Sequence, residues 1–164
     1  YVRSLTDQMT GKHLLKIIIK NLQKKIPINR RKIKQAMLKI ISAEGLDKAG
    51  EVNISFITDF RIKKLNSRFH SRNFTTDVLA FDLSRNKKEL IADIYISADT
   101  AVKNSKIFKT SPGFELYLYV IHGLLHIAGY DDHSPGDIKL MRSKEQEYIR
   151  DACLPAGRLS ALAS

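Results

Sequence analysis

Two histidines, His122 and His126, are four residues apart in the most apolar helix-length stretch of the chain. Side chains at that spacing lie on one face of an α-helix, close enough for two imidazoles to bind one metal ion. Gly129 follows the last apolar residues, and a glycine there can adopt the left-handed conformation that ends a helix and reverses the chain. Residues 131–133 (DDH) would then return towards the imidazoles with a third ligand. The pattern predicts a metal site at the end of this helix.

Three protein ligands and an open fourth position are typical of catalytic zinc, whereas structural zinc sites use four ligands that usually include cysteines. The single cysteine, Cys153, is distant in sequence. The alternative is that His122 and His126 are ordinary core histidines, but their spacing coincides with a glycine turn and a third histidine, which favours metal. Zinc peptidase chemistry is disfavoured because Gly123 stands where the H-E-x-x-H motif has its glutamate. We therefore expect one zinc ion per chain.

The composition is that of one globular domain. The chain has 164 residues, of which 43% are hydrophobic, and its net charge is +11. The longest uncharged apolar run is far shorter than the ~20 residues of a membrane span, and no secretory signal pattern is evident, so we expect a cytoplasmic protein. We expect residues 1–11 to be a disordered or non-native segment, residues 12–152 to form the domain and residues 153–164 to be a loose tail.

Positive charge is concentrated near the beginning of the chain. From Gly11 to Ala43 there are ten basic residues and no acidic residue. Such a segment attracts polyanions, which makes single-stranded RNA or another nucleic acid the first partner to consider. The candidate contacts are Arg30, Arg31 and Lys34, on the polar face of an amphipathic helix. A solvated basic surface is the alternative, and an anionic membrane surface is a weaker one.

Periodicity predicts the elements that must position these residues. Alternating and β-branched runs predict four strands, the last two forming an antiparallel hairpin, and helical spacing predicts five helices, in the order βαβαββααα. In the second helix Ile62, Leu65 and Phe69 form the predicted buried stripe. The predicted fold is an α/β domain of the α+β type, with a four-stranded mixed sheet and the metal site at the end of a central apolar helix; strand order stays open.

The segment HGLLHIAGYDDH, residues 122–133, resembles the H-G-x-L-H-L-x-G-Y-D-H signature of the YbeY family of rRNA-maturation endoribonucleases. Three further stretches are similar to the same family in the same order: NISFITD at Asn53–Asp59, TTDVLAFD at Thr75–Asp82 and IADIYIS at Ile91–Ser97. The resemblance covers roughly Ile17 to Ile149. It implies a small α/β domain with a mixed sheet and a zinc ion bound by three histidines.

The resemblance also implies a function. It is single-strand-specific, metal-dependent cleavage of RNA in 16S rRNA 3′-end maturation, late ribosome assembly and quality control, with the ribosome or ribosomal proteins as partners. The alternative from another class is a non-catalytic assembly factor that binds rRNA or a ribosomal protein and has a structural zinc.

Two positions depart from the family pattern. The family's third histidine is six residues after the second; here that position is Asp132, and His133 follows it. We expect His122, His126 and His133 to bind the metal, with Asp132 as the alternative third ligand. His70 stands where the family has an arginine thought to act on phosphate, and Arg72 is two residues further on. We therefore expect His70, Arg72 and the metal ligand His122 to take part in catalysis.

Overall fold

The computed structural model describes residues 14–151, in the predicted order βαβαββααα. The predictions for residues 1–11 and 153–164 lie outside the described residues. The strands are β1 (Leu15–Asn21), β2 (Ala49–Ile57), β3 (Val78–Asp82) and β4 (Glu89–Ser97). The helices are α1 (Arg30–Ala43), α2 (Asp59–His70), α3 (Ala98–Ile107), α4 (Pro112–Ile127) and α5 (Pro135–Asp151). In this part of the chain no helix is both long and apolar enough to span a membrane.

The four strands form one sheet in the order β1-β2-β4-β3. Strands β1, β2 and β4 are parallel, whereas β3 is antiparallel to β4. The predicted four-stranded mixed sheet and the predicted β3–β4 hairpin are therefore confirmed. The parallel pair β1 and β2 is joined through α1, as a parallel connection requires a crossover.

One face of the sheet carries the main hydrophobic core. The register pairs Ile54 with Ile94 and Phe56 with Ile96, and because side chains alternate along a strand these four residues point to the same side. They join residues of α1, α4 and α5 in one buried cluster. Helix α4 has ten buried residues out of 16, as expected for the central helix. Each fully buried leucine, such as Leu124, contributes about 1.5–3 kcal/mol.

The opposite face is covered in part by α2. A second, smaller cluster of apolar side chains fills this layer: Ile57, Ile62 and Leu79, with Leu65, Phe81 and Tyr95 packed against them. Phe69 departs from the predicted buried stripe, because 56% of it is exposed. Leu65 and Phe81 already pack over the small cluster. The last turn of α2, which carries Phe69, therefore extends beyond the cluster.

Candidate metal site

The two histidines of α4 point at a common position. The Nε2 atoms of His122 and His126 lie 2.9 Å apart, and the ring planes are nearly perpendicular. The four-residue helical spacing produces this arrangement because it superposes the two side chains on one face. The two side chains are only 17% and 28% exposed, so a ligand between the rings would be largely screened from water.

Gly123 allows α4 to approach the sheet closely at this level. A Cβ atom at this position would be 2.8 Å from Ile94 Cγ2 and 3.1 Å from Val78 Cγ1. Any side chain here, including the glutamate of the peptidase motif, would push the helix away from β3 and β4. The glycine therefore has a packing role that places the neighbouring His122 beside the beginning of β3.

The outer nitrogen of each ring is held by a hydrogen-bond acceptor. His122 Nδ1 lies 2.6 Å from Glu145 Oε1 on α5, and His126 Nδ1 lies 3.0 Å from the carbonyl oxygen of Tyr130. When these oxygens accept a proton from Nδ1, the two Nε2 atoms are left either to share one proton, as their 2.9 Å separation requires without a metal, or to present lone pairs to a cation between the rings. The latter is the tautomer that a metal ion requires.

Glu145 was not predicted from the sequence. It lies on α5 four residues after Met141 and three before Tyr148, and both of these residues are buried. That spacing places the carboxylate on the inward-facing side of the helix. An acidic residue in an apolar helical stripe was the available signal, although its partner on α4 could not be inferred from it.

Asp132 completes a group of three possible ligands. Its Oδ2 atom is 3.6 Å from His122 Nε2 and 4.0 Å from His126 Nε2, and the three ligand atoms all lie within 4.8 Å of one another. His133 instead contacts the carboxylate of Asp131, and its side chain is 76% exposed. The structure thus brings Asp132 to the two imidazoles and leaves His133 at the surface; His133 as third ligand stays a prediction.

The electrostatics of the two rings favour one positive charge between them. Burial disfavours charge on His122, but its hydrogen bond to Glu145 and the nearby negative charges of Glu145, Asp77 and Asp132 outweigh burial and raise its pKa. Burial and the charge of His122 lower the pKa of His126. Two imidazoles this close cannot both be protonated, and a single cation can occupy the shared position. Two ring nitrogens and a carboxylate oxygen are donors that zinc accepts.

Glu44, which follows the last residue of α1, is hydrogen-bonded to the turn that carries Asp132. The Glu44 carboxylate accepts hydrogen bonds from the hydroxyl groups of Tyr130, at 2.9 Å, and Tyr148, and pairs with Lys144 at 3.3 Å. Burial opposes the charge of Glu44, but these three partners lower its pKa below the usual value. Because the Tyr130 carbonyl also holds His126, this network joins α1, α5 and the ligand turn.

His70 and Arg72 lie on the connection between α2 and β3. The His70 ring stacks on Phe81, with centroids 5.7 Å apart, and Ser71 ends the helix in a left-handed conformation with φ of 54°. Within residues 14–151, neither His70 nor Arg72 hydrogen-bonds to the three possible ligands. The connection ends at Asp77, and the next residue, Val78, packs beside Gly123, the neighbour of His122 on α4. The catalytic assignment of both residues remains a prediction.

The candidate RNA contacts lie further away. Arg30, Arg31 and Lys34 are exposed in the first turns of α1, whereas Glu44 follows its last turn. A helix of this length is roughly 20 Å long. These cations would therefore meet a different part of a nucleic acid from the part at the metal site.

Comparisons with known proteins agree with this fold. Residues 18–152 match the family model described as Endoribonuclease YbeY. A curated Endoribonuclease YbeY from Syntrophus aciditrophicus (strain SB) is 34% identical over 138 residues, which are 80% of this chain and 86% of that protein. Another, from Anaeromyxobacter sp. (strain Fw109-5), is 39% identical over 102 residues, 61% of this chain and 53% of that protein. The solution structure of a Thermotoga maritima protein superposes with a TM-score of 0.58 and 28% identity, covering 83% of this chain and 88% of that one.

Proposed function

The chain belongs to the YbeY endoribonuclease family, and we propose that it is a zinc-dependent endoribonuclease that cleaves single-stranded RNA. Its cellular role, in this proposal, is 16S rRNA 3′-end maturation with late ribosome assembly and quality control, in the cytoplasm and in contact with the ribosome. The observation that carries the proposal is the cluster of His122, His126 and Asp132, whose donor atoms lie within 4.8 Å of one another at the end of the central helix. Residues 12–152 form the catalytic domain.

One zinc ion per chain is held by His122, His126 and a third ligand. When bound, such an ion activates water and polarises a phosphoryl oxygen. Asp132 is supported by its distances from the two imidazoles, and His133 by the histidine of the family signature. Asp132→Ala and His133→Ala therefore differ in zinc content: the variant that lacks the true ligand loses most of the metal, and the other retains it. Equal, undiminished zinc in both variants would exclude both assignments.

The other residues orient the ligands and stabilise phosphate charge. Glu145 and the Tyr130 carbonyl fix the tautomers of the two imidazoles. Cleavage of a phosphodiester develops negative charge on the phosphate oxygens, and fixed cations are the groups that stabilise it. In our proposal Arg72, with His70 beside it, supplies that charge from the connection that ends near His122. Arg30, Arg31 and Lys34 contact phosphates further along the strand, where they add affinity without a sequence preference.

The test is cleavage of a labelled single-stranded RNA by the zinc-loaded protein, beside the same RNA in a duplex. We expect cleavage of the single strand alone, and loss of cleavage in His122→Ala. Circular dichroism of His122→Ala shows whether the fold is retained, so that lost activity is assigned to the site. A zinc-loaded wild type that binds the single strand but leaves it intact would refute the enzyme and support the assembly factor.

A further inference from the structure

Exposed aromatic rings are grouped where the end of α2 meets β3. The Phe69 and His70 rings both contact Phe81, with centroid distances of 5.2 Å and 5.7 Å, and the His70 ring is stacked nearly parallel to that of Phe81. Phe69 is 56% exposed, and Phe74 in the following connection is 54% exposed. The contacting rings of Phe69, His70 and Phe81 form a surface that we call the aromatic surface, and Phe74 is carried by the connection that follows it. The aromatic surface lies on the sheet face opposite the main core.

The connection that carries Phe74 is held in one conformation. The buried side chain of Asn66, which is 2% exposed, donates a hydrogen bond to the Phe74 carbonyl at 3.0 Å. The hydroxyl of Ser67 donates to the Arg72 carbonyl at 3.3 Å. A buried amide is thus used to fix a segment that presents a phenylalanine to water. A platform of this kind loses little entropy when it binds a ligand.

Positive charge borders the aromatic surface. Arg61, Lys64 and Arg68 are exposed on α2 at spacings of three and four residues, which places them in one stripe beside the stripe that contains Phe69. The Arg68 guanidinium lies over the Phe69 ring, 5.6 Å from its centroid. The one acidic residue of α2, Asp59, is paired with Lys103. The charge of this surface therefore complements a polyanion.

We propose that the aromatic surface stacks unpaired bases of single-stranded RNA, with the basic stripe of Arg61, Lys64 and Arg68 contacting the adjoining phosphates. Aromatic rings beside a basic track are the general means by which proteins hold single strands without base readout. Bases in a duplex do not offer their faces, so the surface selects unpaired RNA. In this proposal the RNA runs from the aromatic surface along residues 71–77 towards His122. This inference rests on the proposed function, since RNA is the substrate there.

The chain has no tryptophan, so a single introduced indole reports on this surface alone. Phe69→Trp places it in the aromatic surface, and Phe108→Trp places a matched control at the 47% exposed end of α3. Single-stranded RNA should quench the tryptophan emission of Phe69→Trp through stacking, whereas inorganic polyphosphate, which has charge but no bases, should not. Equal responses of the two variants, or the same response to both polyanions, would overturn the proposal.

Affinity measurements give a second readout. Phe69→Ala should bind single-stranded RNA about fivefold to a hundredfold more weakly, the loss of one base stack, and should bind duplex RNA unchanged. An unchanged single-strand affinity overturns the inference. Cleavage by Phe69→Trp separates it from the proposed function: cleavage without quenching refutes the stacking surface alone, and quenching without cleavage refutes the nuclease alone.

Discussion

Removal of the charge of Glu145 tests whether the carboxylate tunes the metal site through His122. In Glu145→Gln the side chain keeps its shape, and its amide oxygen can still accept the proton of Nδ1. The native contact is 2.6 Å long, and the two side chains are only 17% and 12% exposed. A hydrogen bond to a charged group contributes about 1.5–3 kcal/mol, roughly twice the neutral value. The substitution therefore weakens the hydrogen bond to His122 Nδ1 by about 1–1.5 kcal/mol, and with it the orientation and basicity of this imidazole.

That loss corresponds to roughly tenfold weaker zinc binding, at the low end of the ~10–100-fold effects of such outer partners. The assay is competition for zinc with a chromogenic chelator at fixed pH. Glu147→Gln is the matched control, because it makes the same charge change on the same helix at a side chain that is 54% exposed. Equal zinc affinities of Glu145→Gln and Glu147→Gln would refute the argument that Glu145 acts through His122.

Three further predictions follow from particular contacts. Burial opposes the charge of Asp59, but its hydrogen bonds to Lys103, Ser97 and Thr100 outweigh burial and lower its pKa below 3.8. The ionised carboxylate therefore stabilises the fold fully above pH 3.8, and this contribution is lost as the pH falls through the pKa of Asp59 in the folded state. Asp59→Asn should lower the free energy of unfolding by about 1–2 kcal/mol at neutral pH, with the difference shrinking in acid, as measured by denaturant titration. Gly123→Ala should cost about 1–3 kcal/mol in the same titration because its Cβ meets Ile94 and Val78. His70→Arg should retain zinc and the cleavage of single-stranded RNA, because arginine keeps a hydrogen-bond donor that suits phosphate at this position; a zinc-loaded His70→Arg protein without cleavage would refute a role of this position in binding phosphate.

The features of the fold that depend on residues close together in sequence could be predicted. Alternation and helical spacing gave the element order, and the spacing of His122 and His126 placed both on one face. The pairing of β4 between β2 and β3 depends on contacts between distant segments, so it could not be inferred. Phe69 shows the same limit on a smaller scale: the helical stripe includes it, but the stripe does not show where the covering layer ends.

Of the candidate metal site, the sequence predicted the pair His122 and His126, but it did not predict the acidic residues Glu145 and Glu44 that hydrogen-bond around it. Glu145 is 23 residues from His122 in sequence, and Glu44 is 86 residues from Tyr130. Contacts between residues so far apart in sequence produce no periodic pattern from which they could be predicted. Each acidic residue instead lies one helical turn after buried apolar residues, Glu44 after Ile40 and Ile41 and Glu145 after Met141, and acidic groups that are partly withdrawn from water need partners. A search of helical stripes for such residues would have found candidates, although only the fold identifies which ring or hydroxyl each one meets.

The turn that carries Asp132 departs from the family signature, and both of its ends are fixed by hydrogen bonds. Tyr130 is fixed by its carbonyl to His126 and by its hydroxyl to Glu44. Ser134 is fixed at the start of α5, where its Oγ accepts from Asp137 N at 3.1 Å and donates to the Asp137 carboxylate. Only residues 131–133 lie between these two anchors.

In so short a segment, either Asp132 takes the place of the family's third histidine, or one inserted residue moves that histidine to His133. Asp132 is at the middle of the segment, and its carboxylate faces them. For His133 to bind, its contact with Asp131 must break, and its side chain must turn from the surface towards the imidazoles. The two candidate ligands therefore differ in the change that they need: Asp132 already faces the imidazoles, whereas His133 requires residues 131–133 to rearrange.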